Sequence, residues 1–363
     1  MDDARLKIAV DGRELIGKPT GVGRYLVEIL RAWKLSGFSH QVMVITPSAP
    51  SPELTAALPD IVWHVEAARG AGTRWEQGRL TRALAKARPD VFFAPGYTAP
   101  LRLPCPMVVA IHDVSFFAHP EWFGRREGWR RRWLTRATAR RARTVLTLSE
   151  FSRAEIERFL KVPASRVTLA PPGAPPHVPS RGNRREPLLL YVGSLFNRRH
   201  IADLIHAFAL AAPRVPLGRL VLIGDNRTAP RIDPIAIAAS AGIADRVEWR
   251  EYETDAARDL LYESARAFAY LSDYEGFGIP PIEAMAHDVP SVVLDTPVSR
   301  EIYGDAALKV PVDTRAIADA IVSLLTDDRV HARLVDAGRE RLTRFSWAAT
   351  AATVGRALEE AAR

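Results

Sequence analysis

The chain of 363 residues has a single cysteine, Cys105. One thiol excludes an internal disulfide framework and any multi-cysteine zinc site. It suits a reducing compartment, where Cys105 is expected to pack as a small buried hydrophobe. Long hydrophobic runs are missing too, since no apolar segment approaches the roughly eighteen residues that a membrane span needs. The start, Met1-Asp2-Asp3-Ala4-Arg5, is acidic and leads straight into a short apolar stretch, without the basic start and apolar core of a signal peptide. The expectation is a cytoplasmic protein, at most peripheral at the inner face of a membrane. Helix-turn-helix, zinc-finger and RNA-binding signatures are lacking, which disfavours nucleic acid as a partner. No clustered metal-ligand spacing is found, so no metal site is expected.

What is present is globular: 47% hydrophobic and 25% charged residues, over a length that suits about two domains. The net charge of +8 is uneven, because residues 1–180 hold 27 Lys and Arg against 16 Asp and Glu, while residues 181–363 hold 23 against 26. The excess concentrates in Arg125, Arg126, Arg130, Arg131, Arg132, Arg136, Arg140, Arg141 and Arg143, with Trp129 and Trp133 four apart among them. Two readings of this stretch stand side by side. Its face meets an anionic membrane or an acidic lipid-linked substrate, or it is a solvated helix whose tryptophans pack inward.

Along the chain, Leu6–Val10 reads as a buried strand, and the loop ending in Thr20-Gly21-Val22-Gly23-Arg24-Tyr25 opens a helix to about Ser36. Glycines at such a junction let a backbone approach a phosphate or sugar. The dinucleotide fingerprint wants a third glycine near position 26, which is Leu, and an acid after the Gln41–Thr46 strand, which runs into Pro47. A nicotinamide-dependent oxidoreductase is therefore disfavoured. Strand-like runs at Ile61–Val65, Val91–Ala94, Met107–Ile111 and Thr144–Leu148 alternate with helical stretches at about 74–88, 126–142 and 150–160, the pattern of a parallel α/β sheet. His112 follows the Met107–Ile111 run directly, where strand-end loops carry ligand contacts. A buried, hydrogen-bonded structural histidine is the other reading.

Residues 171–187 hold six prolines and two glycines and read as a linker. The α/β pattern then restarts with strand Leu188–Val192, the loop Gly193-Ser194-Leu195-Phe196-Asn197-Arg198-Arg199-His200 and helix Ile201–Ala212. Further strands are expected at Arg219–Ile223, Arg246–Arg250, Ala267–Leu271, Ser291–Leu294 and Ala307–Val310. Helices are expected at about 314–326 and 329–343, and a last one from Phe345-Ser346-Trp347. The expected domains are 1–180, 181–345 and a C-terminal helix 346–363 packing back on the first. Between the third strand run and the next helix lies Tyr274-Glu275-Gly276-Phe277-Gly278-Ile279-Pro280-Pro281-Ile282-Glu283. Prolines suit a first helical turn, so Glu275 is expected on the loop and Glu283 within that turn. By itself Glu283 there is explained by the positive end of the helix dipole.

Together these residues resemble the retaining glycosyltransferases of the group 1 type, also called family 4, in the mannosyltransferase-like branch that builds bacterial surface polysaccharides. The resemblance is carried by Gly21-Val22-Gly23-Arg24-Tyr25, His112-Asp113, His119-Pro120-Glu121-Trp122-Phe123, Ser149-Glu150-Phe151-Ser152, the Gly193–His200 loop, Glu275 to Glu283, Gly304-Asp305-Ala306-Ala307 and Phe345-Ser346-Trp347. It implies a GT-B fold, two Rossmann-like domains facing across a cleft. It also implies transfer of a sugar, with mannose the first choice, from a GDP- or UDP-sugar to a glycan or polyprenyl-linked acceptor, with retention and without a metal or other cofactor. Arg198 and Arg199 would meet the leaving diphosphate. Glu283 would hold the ribose hydroxyls, and Glu275 would lie nearer the donor sugar. Gly276, Phe277 and Gly278 would offer backbone N–H groups, and Gly193, Gly21, Gly23 and His112 would complete the site. The family commonly has lysine where Arg199 stands, and asparagine or glycine where His200 stands. Those departures leave open a non-catalytic nucleotide-sugar-binding or assembly subunit.

Overall fold

The structure is a computed structural model that describes residues 5–17, 21–178 and 185–363. The acidic start at 1–4, Thr20 ahead of the first helix, and 179–184 within the proline-rich segment lie outside the described residues, as does the expected boundary at 180/181. The chain divides into two compact units, one of residues 1–173 with 346–363 and one of residues 174–345.

The first unit contains strands β1 (Lys7–Asp11), β2 (Gln41–Thr46), β3 (Val62–Val65), β4 (Val91–Ala94), β5 (Met107–Ala110), β6 (Thr144–Thr147) and β7 (Val167–Leu169). They form one parallel sheet in the order β3-β2-β1-β4-β5-β6-β7. Its central strands are buried along their whole length, as in VFFA of β4 and MVVA of β5. Helices on both faces leave no side for polar alternation, so such strands read as continuous apolar runs. The short β7, which no sequence pattern announced, closes one edge. Helix Trp347–Ala362 packs within this unit against helix Gly21–Ser36: the Trp33 indole donates to the Ala351 carbonyl at 2.9 Å, and His40 Nε2 meets Glu359 at 3.0 Å. Gly173 is needed beside it, because a Cβ there would stand 2.3 Å from the Trp347 backbone nitrogen.

The second unit holds β8 (Glu186–Val192), β9 (Arg219–Ile223), β10 (Val247–Arg250), β11 (Ala265–Tyr270), β12 (Ser291–Leu294) and β13 (Ala307–Val310), parallel in the order β10-β9-β8-β11-β12-β13. This is the strand order of a doubly wound dinucleotide-type sheet. The order reverses between β8 and β11, so the loops leaving those two strands part to opposite faces and open a crevice at their carboxyl ends. The flanks of the proline-rich segment are fastened to this unit. Val178 N donates to the Ala286 carbonyl at 2.8 Å, and the Arg185 guanidinium donates to the Tyr262, Ala265 and His287 carbonyls.

Candidate functional site

The loop after β8 and the loop after β11 carry the basic pair and Glu275. Sequence separates Arg199 from Glu275 by 76 positions, and the reversal of strand order joins them. Arg199 donates from Nε at 3.2 Å and from Nη2 at 3.0 Å to Glu275 Oε1, and its Nη1 donates to the Ser194 carbonyl at 2.9 Å. Tyr270 and Ser272 donate to the same carboxylate oxygen, each at 2.9 Å. Burial pushes the Tyr270 phenol well above its ordinary pKa, so it stays protonated and donates. Arg199 and Glu275 are 12% and 17% exposed, a geometry in which charge-assisted hydrogen bonds hold the loops in register.

Gly193 has φ 143°, and a Cβ on it would stand 2.7 Å from Arg199 Nη1. It serves the site by letting the guanidinium cross its backbone. The Arg198 guanidinium lies 4.3 Å from the centre of the Phe196 ring.

Helix Ile279–Ala286 begins at Gly278, with φ 83°. A Cβ on Gly278 would stand 2.0 Å from the Tyr303 hydroxyl, which donates to the Gly278 carbonyl at 2.9 Å. The Phe277 side chain is core, 2% exposed and edge-on to Phe345 at 5.1 Å, which leaves its backbone for other work. Gly276 is buried as well. One expectation is corrected here: no acid lies in the first turn of this helix, and Glu283 is its fifth residue. Pro280 and Pro281 occupy the second and third positions, which moves Glu283 up beyond the reach of the dipole's strongest field. Glu283 Oε2 accepts from the Tyr262 hydroxyl at 3.4 Å, and Tyr262 stacks on His287 at 5.1 Å.

In the first unit, His112 follows β5 and is 7% exposed. Its Nε2 lies 2.7 Å from the Pro95 carbonyl, an acceptor only, so the proton sits on Nε2. Burial pulls its pKa down, and the neutral ring retains Nδ1 as a lone pair. Tyr25 meets the ring edge-on at 5.0 Å. Both readings of His112 thus survive in one residue, structurally pinned and able to accept one hydroxyl proton in a hydrogen bond. Gly21 and Gly23 lie in the first turn of helix Gly21–Ser36, Gly21 exposed and Gly23 buried. Among the described residues no group of three or more His, Cys, Asp or Glu is placed to hold a metal.

The arginine-rich stretch forms helix Arg125–Arg141, and its tryptophans do not pack inward. Trp129 is 64% and Trp133 51% exposed, while Leu134, Thr135, Thr138 and Ala139 face the interior. The arginines divide as well. Arg131 lies over the rings of Tyr97, Phe116 and Phe123, and Arg132 donates to the Phe116 carbonyl, whereas Arg126, Arg130, Arg136 and Arg140 are exposed.

Sequence reasoning missed Tyr270 and Ser272 as the other donors to Glu275, and Asp203 and Asp273 as the partners of His200. Only the Ser272-Asp273 adjacency just ahead of Glu275 offered a signal.

Two Rossmann-like units, the second with a basic loop tied to an acidic one at its switch point, are of the GT-B type. The sequence profile described as "Glycosyl transferases group 1" matches residues 177–341, and that of "Glycosyltransferase Family 4" matches residues 19–178. The chain belongs to the group 1, family 4 glycosyltransferases. It is 28% identical to the O-antigen chain mannosyltransferase B of Escherichia coli, over 90% of this chain and 93% of that one. The sucrose-phosphate synthase of Thermosynechococcus elongatus superposes with a TM-score of 0.76 at 21% identity, covering 97% of this chain and 98% of that one. The Anabaena HepE in complex with UDP-glucose gives 0.76 at 17% identity, covering 98% and 100%.

Proposed function

We propose that the protein moves a hexose, mannose being the first candidate, from a GDP- or UDP-sugar to a glycan or polyprenyl-linked acceptor in the synthesis of a surface polysaccharide. The observation that carries the reading is the Arg199–Glu275 junction at the switch point of the second unit, where a nucleotide is expected to bind. The mannosyltransferase relative supports the choice of sugar and pathway class.

Arg198, Arg199 and the backbone N–H groups of Gly276, Phe277 and Gly278 stabilise the departing diphosphate, and Glu283 accepts from the ribose hydroxyls. Gly193 keeps Arg199 in place. Glu275 orients Arg199 through Oε1, and its other oxygen is assigned to a sugar hydroxyl. His112 Nδ1 and the Gly21–Gly23 turn are the first unit's sugar contacts. The acceptor oxygen bonds to the anomeric carbon while that carbon's bond to the diphosphate oxygen breaks, and the electron pair leaves with the nucleoside diphosphate. The acceptor proton passes to the departing phosphate on the same face, which retains the configuration without a required metal.

Incubation with radiolabelled GDP- and UDP-sugars and cell-envelope lipid extract tests this. Transfer abolished in Arg198→Ala and Glu283→Ala supports it and excludes a non-catalytic subunit. Absence of both transfer and slow donor hydrolysis with every donor overturns it.

A second assignment concerns the partner surface. No described helix is long and apolar enough to cross a membrane. Exposed Trp129 and Trp133 among exposed arginines fit the interfacial zone of an anionic bilayer, where tryptophan sits at headgroup depth and each basic residue contributes about 1 kcal/mol. This would place the protein peripherally at the inner face of the membrane, beside a lipid-linked acceptor.

A further inference from the structure

His200 stands in the left-handed region, φ 50° and ψ 42°, at the N-cap of helix Ile201–Ala211. Glycine, asparagine and histidine all tolerate that conformation, so the backbone does not select histidine over the others and the side chain's contacts must. Nδ1 lies 2.7 Å from Asp203 Oδ2 on its own helix, and Nε2 lies 2.8 Å from Asp273 Oδ2 on the loop after β11. A carboxylate facing each nitrogen favours the ring with both nitrogens protonated: Nδ1 is hydrogen-bonded to Asp203, while Nε2 and Asp273 form a close ion pair without hydrogen-bond alignment. Asp273 is also joined to the basic loop by its backbone, since its N–H donates to the Arg198 carbonyl at 3.0 Å. Two residues further on is Glu275, bonded to Arg199.

We infer that protonated His200 is a positioning residue: it ties the loop bearing Arg198 and Arg199 to the loop bearing Glu275, and so sets donor affinity as a function of pH. The inference rests on the donor-site reading given above. The charged groups facing the ring are Asp273 and Asp203, with Arg198 and Arg199 adjacent in the chain. The Asp273 carboxylate beside Nε2 raises the His200 pKa, burial opposes it, and Asp203 adds to the rise. The bridge is therefore complete below the ordinary histidine value of about 6.5 and is lost as pH rises through the raised value. With the bridge lost, Asp273 retains its negative charge beside the arginine pair while the compensating positive charge disappears. Nucleoside diphosphate binding should weaken for both geometric and electrostatic reasons.

The test is titration calorimetry of UDP and GDP against the full chain from pH 5.5 to 9, for wild type, His200→Asn and Asp273→Asn. Asparagine keeps the left-handed backbone without a titrating group, and Asp273→Asn breaks the bridge without touching that backbone. The expected result is a Kd for the wild type that rises about three- to tenfold across the His200 titration. The same interval should be flat in His200→Asn, which should resemble wild type at high pH, whereas in Asp273→Asn the rise should be smaller and shifted to lower pH. An imidazole titration by NMR should place the His200 pKa above 6.5 in wild type and lower it in Asp273→Asn. Identical pH dependence in wild type and both variants overturns the inference while leaving the donor-site reading intact. No binding of either nucleotide at any pH, by any of the three proteins, overturns both.

Discussion

Glu275→Ala removes the oxygen on which Arg199, Tyr270 and Ser272 converge. Tyr270 and Ser272 are 3% and 6% exposed, and the Arg199 side chain is 12% exposed, so water replaces the lost acceptor poorly. An unsatisfied buried donor costs about 1–3 kcal/mol, and removing one partner of a buried ion pair costs about 3–5 kcal/mol. These overlap, and about 3–5 kcal/mol is the expected total. Glu275→Gln keeps an acceptor of the same shape and loses only the charge, for about 1–2 kcal/mol. In a unit of this size 1 kcal/mol shifts Tm by about 2–4 °C, so alanine should lower the melting of the second unit by roughly 6–20 °C and glutamine by roughly 2–8 °C. The assay is calorimetry of the full chain, with hydrogen exchange at the Gly193–His200 loop to localise the loss. Should both variants melt within about 2 °C of wild type, or should alanine be no worse than glutamine, the hub role of Glu275 is refuted.

Gly278→Ala combines a left-handed backbone with a Cβ directed at the Tyr303 hydroxyl, and should cost about 2 kcal/mol or more. Adding Tyr303→Phe should recover part of that loss in a thermal double-mutant cycle, and strict additivity would count against the contact. Burial pushes the Asp288 carboxyl up, but hydrogen bonds from Arg339 and His177 and their charges outweigh it and hold its pKa at about 2. Its stabilising contribution is present above the ordinary value and is lost as pH falls from about 4 towards 2, worth about 2 kcal/mol at neutrality. Asp288→Asn should therefore be destabilised in urea at pH 7 and match wild type near pH 2, and an equal gap at both pH values would refute this. On the helix Arg125–Arg141, replacing Arg126, Trp129 and Trp133 together with Ser should lower binding to anionic liposomes at least about tenfold. Unchanged flotation would remove that face from membrane docking. Arg131 and Arg132 are poor targets, because their contacts with Tyr97, Phe116 and Phe123 make their loss a packing defect.

Much of the fold was legible because parallel strands covered on both faces leave an unmixed apolar signal. The runs Gln41–Thr46, Val91–Ala94 and Arg219–Ile223 coincide with observed strands residue for residue. Strand Val167–Leu169 escaped notice, being three residues long at a sheet edge, too short for any periodicity. The turn of helix holding Glu283 was misjudged because prolines restrict a first turn without fixing which of its positions they take. The exposure of Trp129 and Trp133 had two readings in sequence, since a tryptophan four residues from another marks one helical face but not whether that face is inside or out.

The sequence alone determined the residue types available to the site: glycines at 193 and 278, and acids and arginines on or beside strand-end loops. Local rules sufficed because propensity, capping and apolar runs act over a few residues. Tertiary structure decided the pairings. Strand order β10-β9-β8-β11-β12-β13 makes β8 and β11 neighbours, and only that adjacency brings Arg199 to Glu275 and His200 to Asp273. Contacts across more than seventy residues depend on which strands pair, and that choice is made by burial of the whole sheet rather than by any residue near the site.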